Sequence, residues 1–315
     1  MKHILSFLLI VSSLQFSVLS TNAQLIKGNG NVISKERNVS DFTGIDVSNG
    51  FDVVLSQGNT ENLTITTDEN LHKIITSEVV NGILVIKCEK KIKFTKTLKA
   101  NITLKEINSI KVSGGGDVKT ETKLASDLLK LQISGGGDLR ANVDVIELNC
   151  AVSGGGDVNL SGIIKTFNSK ISGGGDLTSE IISNKIICNI SGGGDAKITV
   201  NEKTSNAIFN LSGGGELVLK IDANELECTL SSGGDARFSG KATNFTAQIS
   251  GGGDLKAKEL ITEKAKIEAS GGSDVSIYVT KELNVKASGG GDVYYTGNPE
   301  IVNIDTSGGS KVHKN

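Results

Sequence analysis

Ten acids stand at nearly constant spacing: Asp117, Asp138, Asp157, Asp176, Asp195, Glu216, Asp235, Asp254, Asp274 and Asp292. In strand-rich sequence, a period near 19 residues stacks such side chains in one column, a rung of about 4.8 Å apart. Two unit charges at that distance repel by about 0.9 kcal/mol in water and about 3.5 kcal/mol at an effective dielectric of 20. Something must offset this. One chemistry is a Ca²⁺ column, since hard cations take several carboxylate or carbonyl oxygens; the candidate ligands are Asp117, Asp138, Asp157, Asp176 and Asp195. The Gly-Gly-x-Gly-x-Asp calcium repeat is matched only in part, because both the internal spacing and the period differ. The other chemistry is structural: each carboxylate takes up turn N–H groups, flanked by bases two positions on at Lys119, Arg140, Lys197, Arg237 and Lys256. The structural account is the expectation, and no metal or cofactor is assigned.

Other reactive side chains are few. Beyond residue 23 the only histidines are His72 and His313, so a Ser-His-Asp triad is not expected. Paired carboxylates abound, which keeps a polysaccharide lyase or hydrolase as the enzymatic alternative. Sugar clefts favour aromatic platforms, however, and there is no Trp. Tyr278, Tyr294 and Tyr295, the only tyrosines, fall close together and form the candidate ligand-binding patch for a glycan. Of four cysteines, Cys150, Cys188 and Cys228 occupy one column on alternate coils. Their Cα atoms would lie about 9.6 Å apart, beyond the reach of a disulfide, so free thiols are expected. Cys88 is not placed.

The element that must position the acids is a repeat. Ser-Gly-Gly-Gly-Asp, or a close variant, begins at Ser113, Ser134, Ser153, Ser172, Ser191, Ser212, Ser231, Ser250, Ser270, Ser288 and Ser307. Alternation around it has period two, the mark of strands. One residue before each Ser stand Val112, Ile133, Val152, Ile171 and their equivalents. Three before stand Ile110, Leu131 and Cys150. Just after the acid stand Val118, Leu139 and Val158. A 19-residue unit is too short for strand-helix-strand and fits one coil of a parallel β-solenoid, ten steps of which make a rod about 48 Å long. Three successive glycines suit a corner of often positive φ where stacked backbones exclude Cβ.

Glycine is enriched, 39 of 315 residues, with one Pro, 37% hydrophobic and 4% aromatic residues. Collagen is thereby excluded, and a core of small aliphatics is expected. A net charge of −2 offers no footprint for nucleic acid. Residues 1–23 read as a secretory signal, basic then apolar then small. Gln24 rather than Cys follows it, so no lipid anchor is indicated, and no membrane span remains after cleavage. Residues 24–112 are expected to start and cap the solenoid, with strands at 44–48, 51–55, 63–66 and 83–86 and one helical turn capped by Asp68. Residues 113–315 are its repetitive body. The charges of Lys311, His313 and Lys314 would discourage pairing at the closing edge.

The order Phe42-Thr43-Gly44-Ile45-Asp46-Val47-Ser48-Asn49-Gly50-Phe51-Asp52-Val53, then Asp68-Glu69-Asn70-Leu71, then Val80-Asn81-Gly82-Ile83-Leu84-Val85-Ile86, leading into glycine-rich strands, resembles the putative auto-transporter adhesin, head GIN domain family. The resemblance runs from about residue 40 to the end. It implies an all-β, right-handed parallel β-helix and an exported protein of Bacteroidetes, periplasmic, surface-displayed or secreted. It brings no catalytic residues. The combined expectation is a non-enzymatic, adhesin-like or cell-envelope binding or structural module whose partner is a glycan or other surface component.

Overall fold

The computed structural model describes residues 25–315; the signal segment expected at 1–23 lies outside them. Coils about 19 residues apart stack in parallel through about 11 turns of a β-solenoid. All three expected columns run in register. Ile110 pairs with Leu131, Leu131 with Cys150, and so on through Ser169, Cys188, Phe209, Cys228, Ala247, Ile267 and Val285 to Ile304. Val118 likewise begins a run through Leu139 and Val158 to Val312. Their side chains fill a single hydrophobic core between two flanks. Six phenylalanines are fully buried there, including Phe209, Phe238 and Phe245, so the aliphatic core is more aromatic than composition implied.

Each coil turns twice. Opposite the glycines it turns where two consecutive residues face outward, within one strand at Ile146-Glu147 and Lys165-Thr166 and with a break between strands at 183–184 and 201–203. At the glycine corner, backbones meet directly. The Gly114 carbonyl accepts the N–H groups of Gly136 and Gly137 at 2.9 and 3.1 Å, and Gly135 does the same for Gly155 and Gly156. A Cβ on Gly135 would strike the Gly114 carbonyl oxygen, and one on Gly137 that of Gly116. The middle glycine differs. A Cβ on Gly136 meets nothing within 4 Å, and its φ is not positive. The expectation that all three glycines exclude Cβ, usually at positive φ, therefore holds sterically only for the first and third.

The N-terminal region builds coils out of chain order. Strand Gly44–Ser48 pairs with Ser109–Ser113 on one side and Ile83–Cys88 on the other, while Asp52–Gln57 lies between Val118–Thr120 and Leu98–Leu104. Thus residues 83–104 form the outer coil and 44–57 the next. Antiparallel strands then close this end: Ile75–Val80 on Ile83–Cys88, and Asn62–Asp68 on Leu98–Leu104, itself covered by Val32–Arg37. Asp68 precedes a 3₁₀ turn at Glu69–Leu71 but does not cap it. Its buried carboxylate instead accepts from Thr95 Oγ1 (2.6 Å), the Lys96 N–H (2.9 Å) and the Gly30 N–H. Beside it, buried His72 donates from Nε2 to the Ile33 carbonyl at 3.2 Å. At the far end, Ile301–Gly308 is exposed throughout because it has a neighbour on one side only among the described residues.

These contacts make the corner glycines unequal in mutation. Gly135→Ala should cost about 3 kcal/mol or more by forcing two backbones apart, whereas Gly136→Ala should shift stability by less than about 1 kcal/mol; urea denaturation of the two variants measures both. A second expectation concerns pH. The Thr95 hydroxyl, then the Lys96 and Gly30 amides, hold Asp68 below its ordinary 3.8, and burial pushes His72 below 6.5. In both groups the fold favours the proton-free form, so the unfolded chain takes up the proton first as pH falls. Their stabilisation is full above those ordinary values and is lost as pH falls through the lower folded ones. Melting midpoints should drop in a first step below pH 6.5, absent in His72→Gln, and in a second below 3.8, absent in Asp68→Asn.

Candidate functional site

The acid column is a ladder. Oδ1 of Asp117 accepts the backbone N–H of Asp138 at 3.0 Å, Asp138 that of Asp157 at 3.0 Å, Asp157 that of Asp176 at 3.0 Å, and Asp176 that of Asp195 at 2.8 Å. It resumes from Asp235 and ends with Lys311 donating to Asp292 at 2.9 Å. Each carboxylate except that of Glu216 thus satisfies the N–H of the coil after it, which offsets the repulsion between rungs with a charge-assisted bond. The flanking bases contribute less than their spacing implied. Only Arg237, 3.2 Å from Glu216, and Lys256, 3.9 Å from Asp254, pair with ladder acids; Lys119, Arg140 and Lys197 do not.

Sequence reading missed the first rung. Asp52 accepts the Asp117 N–H at 3.2 Å, and Ser48 pairs with Ser113. The signal was present: Val47-Ser48-Asn49-Gly50-Phe51-Asp52-Val53 matches Val112–Val118 position for position, with one glycine instead of three. Asn49 and Gly50 are both at positive φ, whereas in the matching corner only Gly114 is.

The ladder is interrupted once, between Glu216 and Asp235. The longer Glu216 side chain turns to Arg237 instead of accepting the next N–H. In the same corner Ser232 stands at the first glycine position, and the paired bonds to the Gly213 carbonyl are missing; Ser232 Oγ bonds the Ser212 carbonyl instead, at 3.1 Å. Ser273, at a third-glycine position, is buried with its hydroxyl unpaired. The last motif departs as well, with Ser310 at its third-glycine position, likewise buried and unpaired, and Lys311 in place of the acid.

The flank that follows the acids carries the tyrosines. Along its outward column Arg237, Lys256, Ser276, Tyr294 and His313 succeed one another rung by rung. Tyr294 stacks on His313 with centroids 5.1 Å apart at 17°, and its hydroxyl lies 3.4 Å from Asp292 Oδ2. Partial desolvation and the charges of Asp292 and Asp274 raise its phenol above the ordinary range. Tyr278, half-buried, lies two positions beyond Ser276 on this flank. Tyr295 does not join them: it alternates inward and is buried in the last coils. The outward patch is therefore Tyr278 and Tyr294.

The four cysteines are free, and Cys150, Cys188 and Cys228 are buried in the column that alternates with Ser169 and Phe209. Burial pushes the thiols of Cys150 and Cys188 up to about 12 and about 11, and Cys228 higher still. Half-buried Cys88, at the end of strand Ile83–Cys88, is raised to about 11 for the same reason. None is poised as a nucleophile.

Among the described residues no group of three or more His, Cys, Asp or Glu side chains gathers as a metal site. With each Oδ1 committed to a backbone N–H, the melting midpoint should be the same in excess Ca²⁺ and in chelator. A midpoint several degrees higher with Ca²⁺ would instead assign the metal to Asp117, Asp138, Asp157, Asp176 and Asp195.

No helix of the described residues is long and apolar enough to cross a membrane. No curated protein matches the sequence. Among solved structures, a putative adhesin from Parabacteroides merdae is 18% identical, with 93% of this chain and 100% of that one covered and a TM-score of 0.38. A putative adhesin from Bacteroides fragilis is 19% identical (92% and 100% covered, TM-score 0.35). A putative lipid binding protein from Parabacteroides distasonis is 21% identical (93% and 100%, TM-score 0.31). Likeness at this level carries no weight for function. A family model does match, over residues 41–209 and again over 203–299, and the chain accordingly belongs to the family described as "Putative auto-transporter adhesin, head GIN domain".

Proposed function

We propose that this chain is an exported, non-enzymatic binding module of the cell envelope or surface that holds a glycan along one flank of its solenoid. The observation that carries this reading is the outward placement of half-buried Tyr278 and Tyr294 on successive coils of one flank. A face that is rigid before it meets its ligand loses little entropy on binding. Tyrosine rings with serine hydroxyls beside them suit the apolar faces and polar edges of sugars. The family description and the signal-like character of residues 1–23 support export.

A glycan array combined with a reducing-end assay tests the proposal. Polysaccharide should be retained intact, and Tyr294→Ala should weaken binding by about fivefold, the effect of about 1 kcal/mol of ring contact. New reducing ends would establish the enzymatic alternative instead. Failure to retain any glycan would leave a structural spacer. Fractionation of cells should place the mature protein outside the cytoplasm.

A further inference from the structure

Among the described residues, the ladders of the 23-stranded sheet shift register along one strand, Leu255–Gly271: once against the strand before it, between Arg237 and Ser239, and twice against the strand after it, between Ala257 and Ile261 and between Thr262 and Lys264. There Lys258 and Glu259 both face outward between buried Ala257 and Leu260. This is a β-bulge, a device that re-aims side chains beside functional sites. The interrupted corner at Glu216 and Ser232 belongs to the two coils immediately before it. Between these irregularities lies a groove of about 560 Å³, whose lining includes Arg237, Ser239, Lys256, Lys258, Ser276 and one acid, Glu259. Arg237 and Lys256 each pair with one ladder acid, Glu216 and Asp254, and exposed Lys258 makes no ion pair among the described residues.

We infer that this groove binds an acidic polysaccharide, a uronate chain lying along the solenoid axis. The inference rests on the glycan-binding reading above and names the class of sugar. A rung of about 4.8 Å is close to the length of one pyranose ring, so successive sugars meet successive rungs. Carboxylates of the ligand pair with Lys258 and Lys256, and its hydroxyls with Ser239 and Ser276. Tyr294 continues the same column one rung beyond Ser276 and offers a ring face. The neighbouring ladder acids Asp235, Asp254 and Asp274 accept from the hydroxyls that a uronate carries on every unit, which offset the repulsion of its carboxylates; a deoxynucleotide backbone or a phospholipid surface brings comparable charge with few or no such hydroxyls. That mixture favours a uronate chain over nucleic acid or an anionic bilayer.

The experiment is calorimetric titration of the full chain with polygalacturonate, a neutral galactan, oligothymidylate and phosphatidylglycerol vesicles. Polygalacturonate should bind, more weakly as salt rises, and at least tenfold more tightly than the other three. Lys256→Gln with Lys258→Gln should weaken it at least tenfold without moving the melting midpoint, since both side chains are exposed. Glu259→Gln, which removes a like charge from the rim, should tighten it. Lys170→Gln with Lys286→Gln, on the opposite flank, should change nothing. Neutral galactan bound as well as polygalacturonate, or polygalacturonate binding indifferent to Lys256 and Lys258, overturns the inference and leaves the glycan-binding reading standing. Tighter binding of oligonucleotide or vesicles overturns the inference. Failure to bind either polysaccharide overturns it too, and glycans retained on the array but not here would confine the damage to the acidic class.

Discussion

The whole assembly depends on how closely two backbones approach at the glycine corner. One carbonyl, that of the first glycine, takes two N–H groups from the coil after it, and only residues without Cβ let the chains come near enough. Close approach at the corner sets the rung spacing for everything attached to it. The core columns stack because the corners stack, and the acid after the third glycine arrives within reach of the next coil's N–H. Sterics, hydrogen bonding and charge are thus not separate contributions here; the first creates the geometry that the other two use.

The interruption at Glu216 and Ser232 shows that dependence in reverse. Adding a Cβ at a first-glycine position removes the paired bonds to the Gly213 carbonyl, and lengthening the acid by one methylene removes the ladder bond. Yet the strands on both sides stay paired, Leu211 with Leu230 and Leu217 with Ala236. The core beneath explains why. Phe209, Phe238 and Phe245 contact one another there, with centroids 6.2 and 5.8 Å apart, so the richest aromatic packing underlies the weakest corner. In a stack where each coil touches only its neighbours, such a deficit must be met locally, because no distant element can supply it.

Much of this is legible in the sequence, for a physical reason: a repeated coil repeats its constraints, so columns of like residues name their own partners. The inward columns, the free cysteines and the outward acids are all readable that way. The features that break the repeat are not. Asp52 is hidden because its corner uses Asn49 and Gly50 at positive φ in place of three glycines, and because residues 58–108 loop over the end before the next coil begins. Asp68 looks like a helix cap since its partners, Gly30 and Thr95, are distant in sequence. Tyr295 groups with Tyr294 by chain position, although neighbours on a strand face opposite ways. Spacing alone pairs the bases with the ladder, whereas their long side chains reach outward into water.

The two ends of the stack obey unequal logic. At one end the chain turns antiparallel and lays Ile75–Val80 and Val32–Arg37 over its own edges, so the inward residues of the outer coil, Leu84 and Ile86, are fully buried. At the other, Ile304 holds the same inward column position and is about half exposed. The difference is not in the residues, which are equally apolar, but in whether a strand of opposite direction lies above them. A parallel coil can only be continued by another coil or ended by an antiparallel one. The irregular rungs that gather the cations and tyrosines all lie toward the second end, where fewer coils remain to be kept in register.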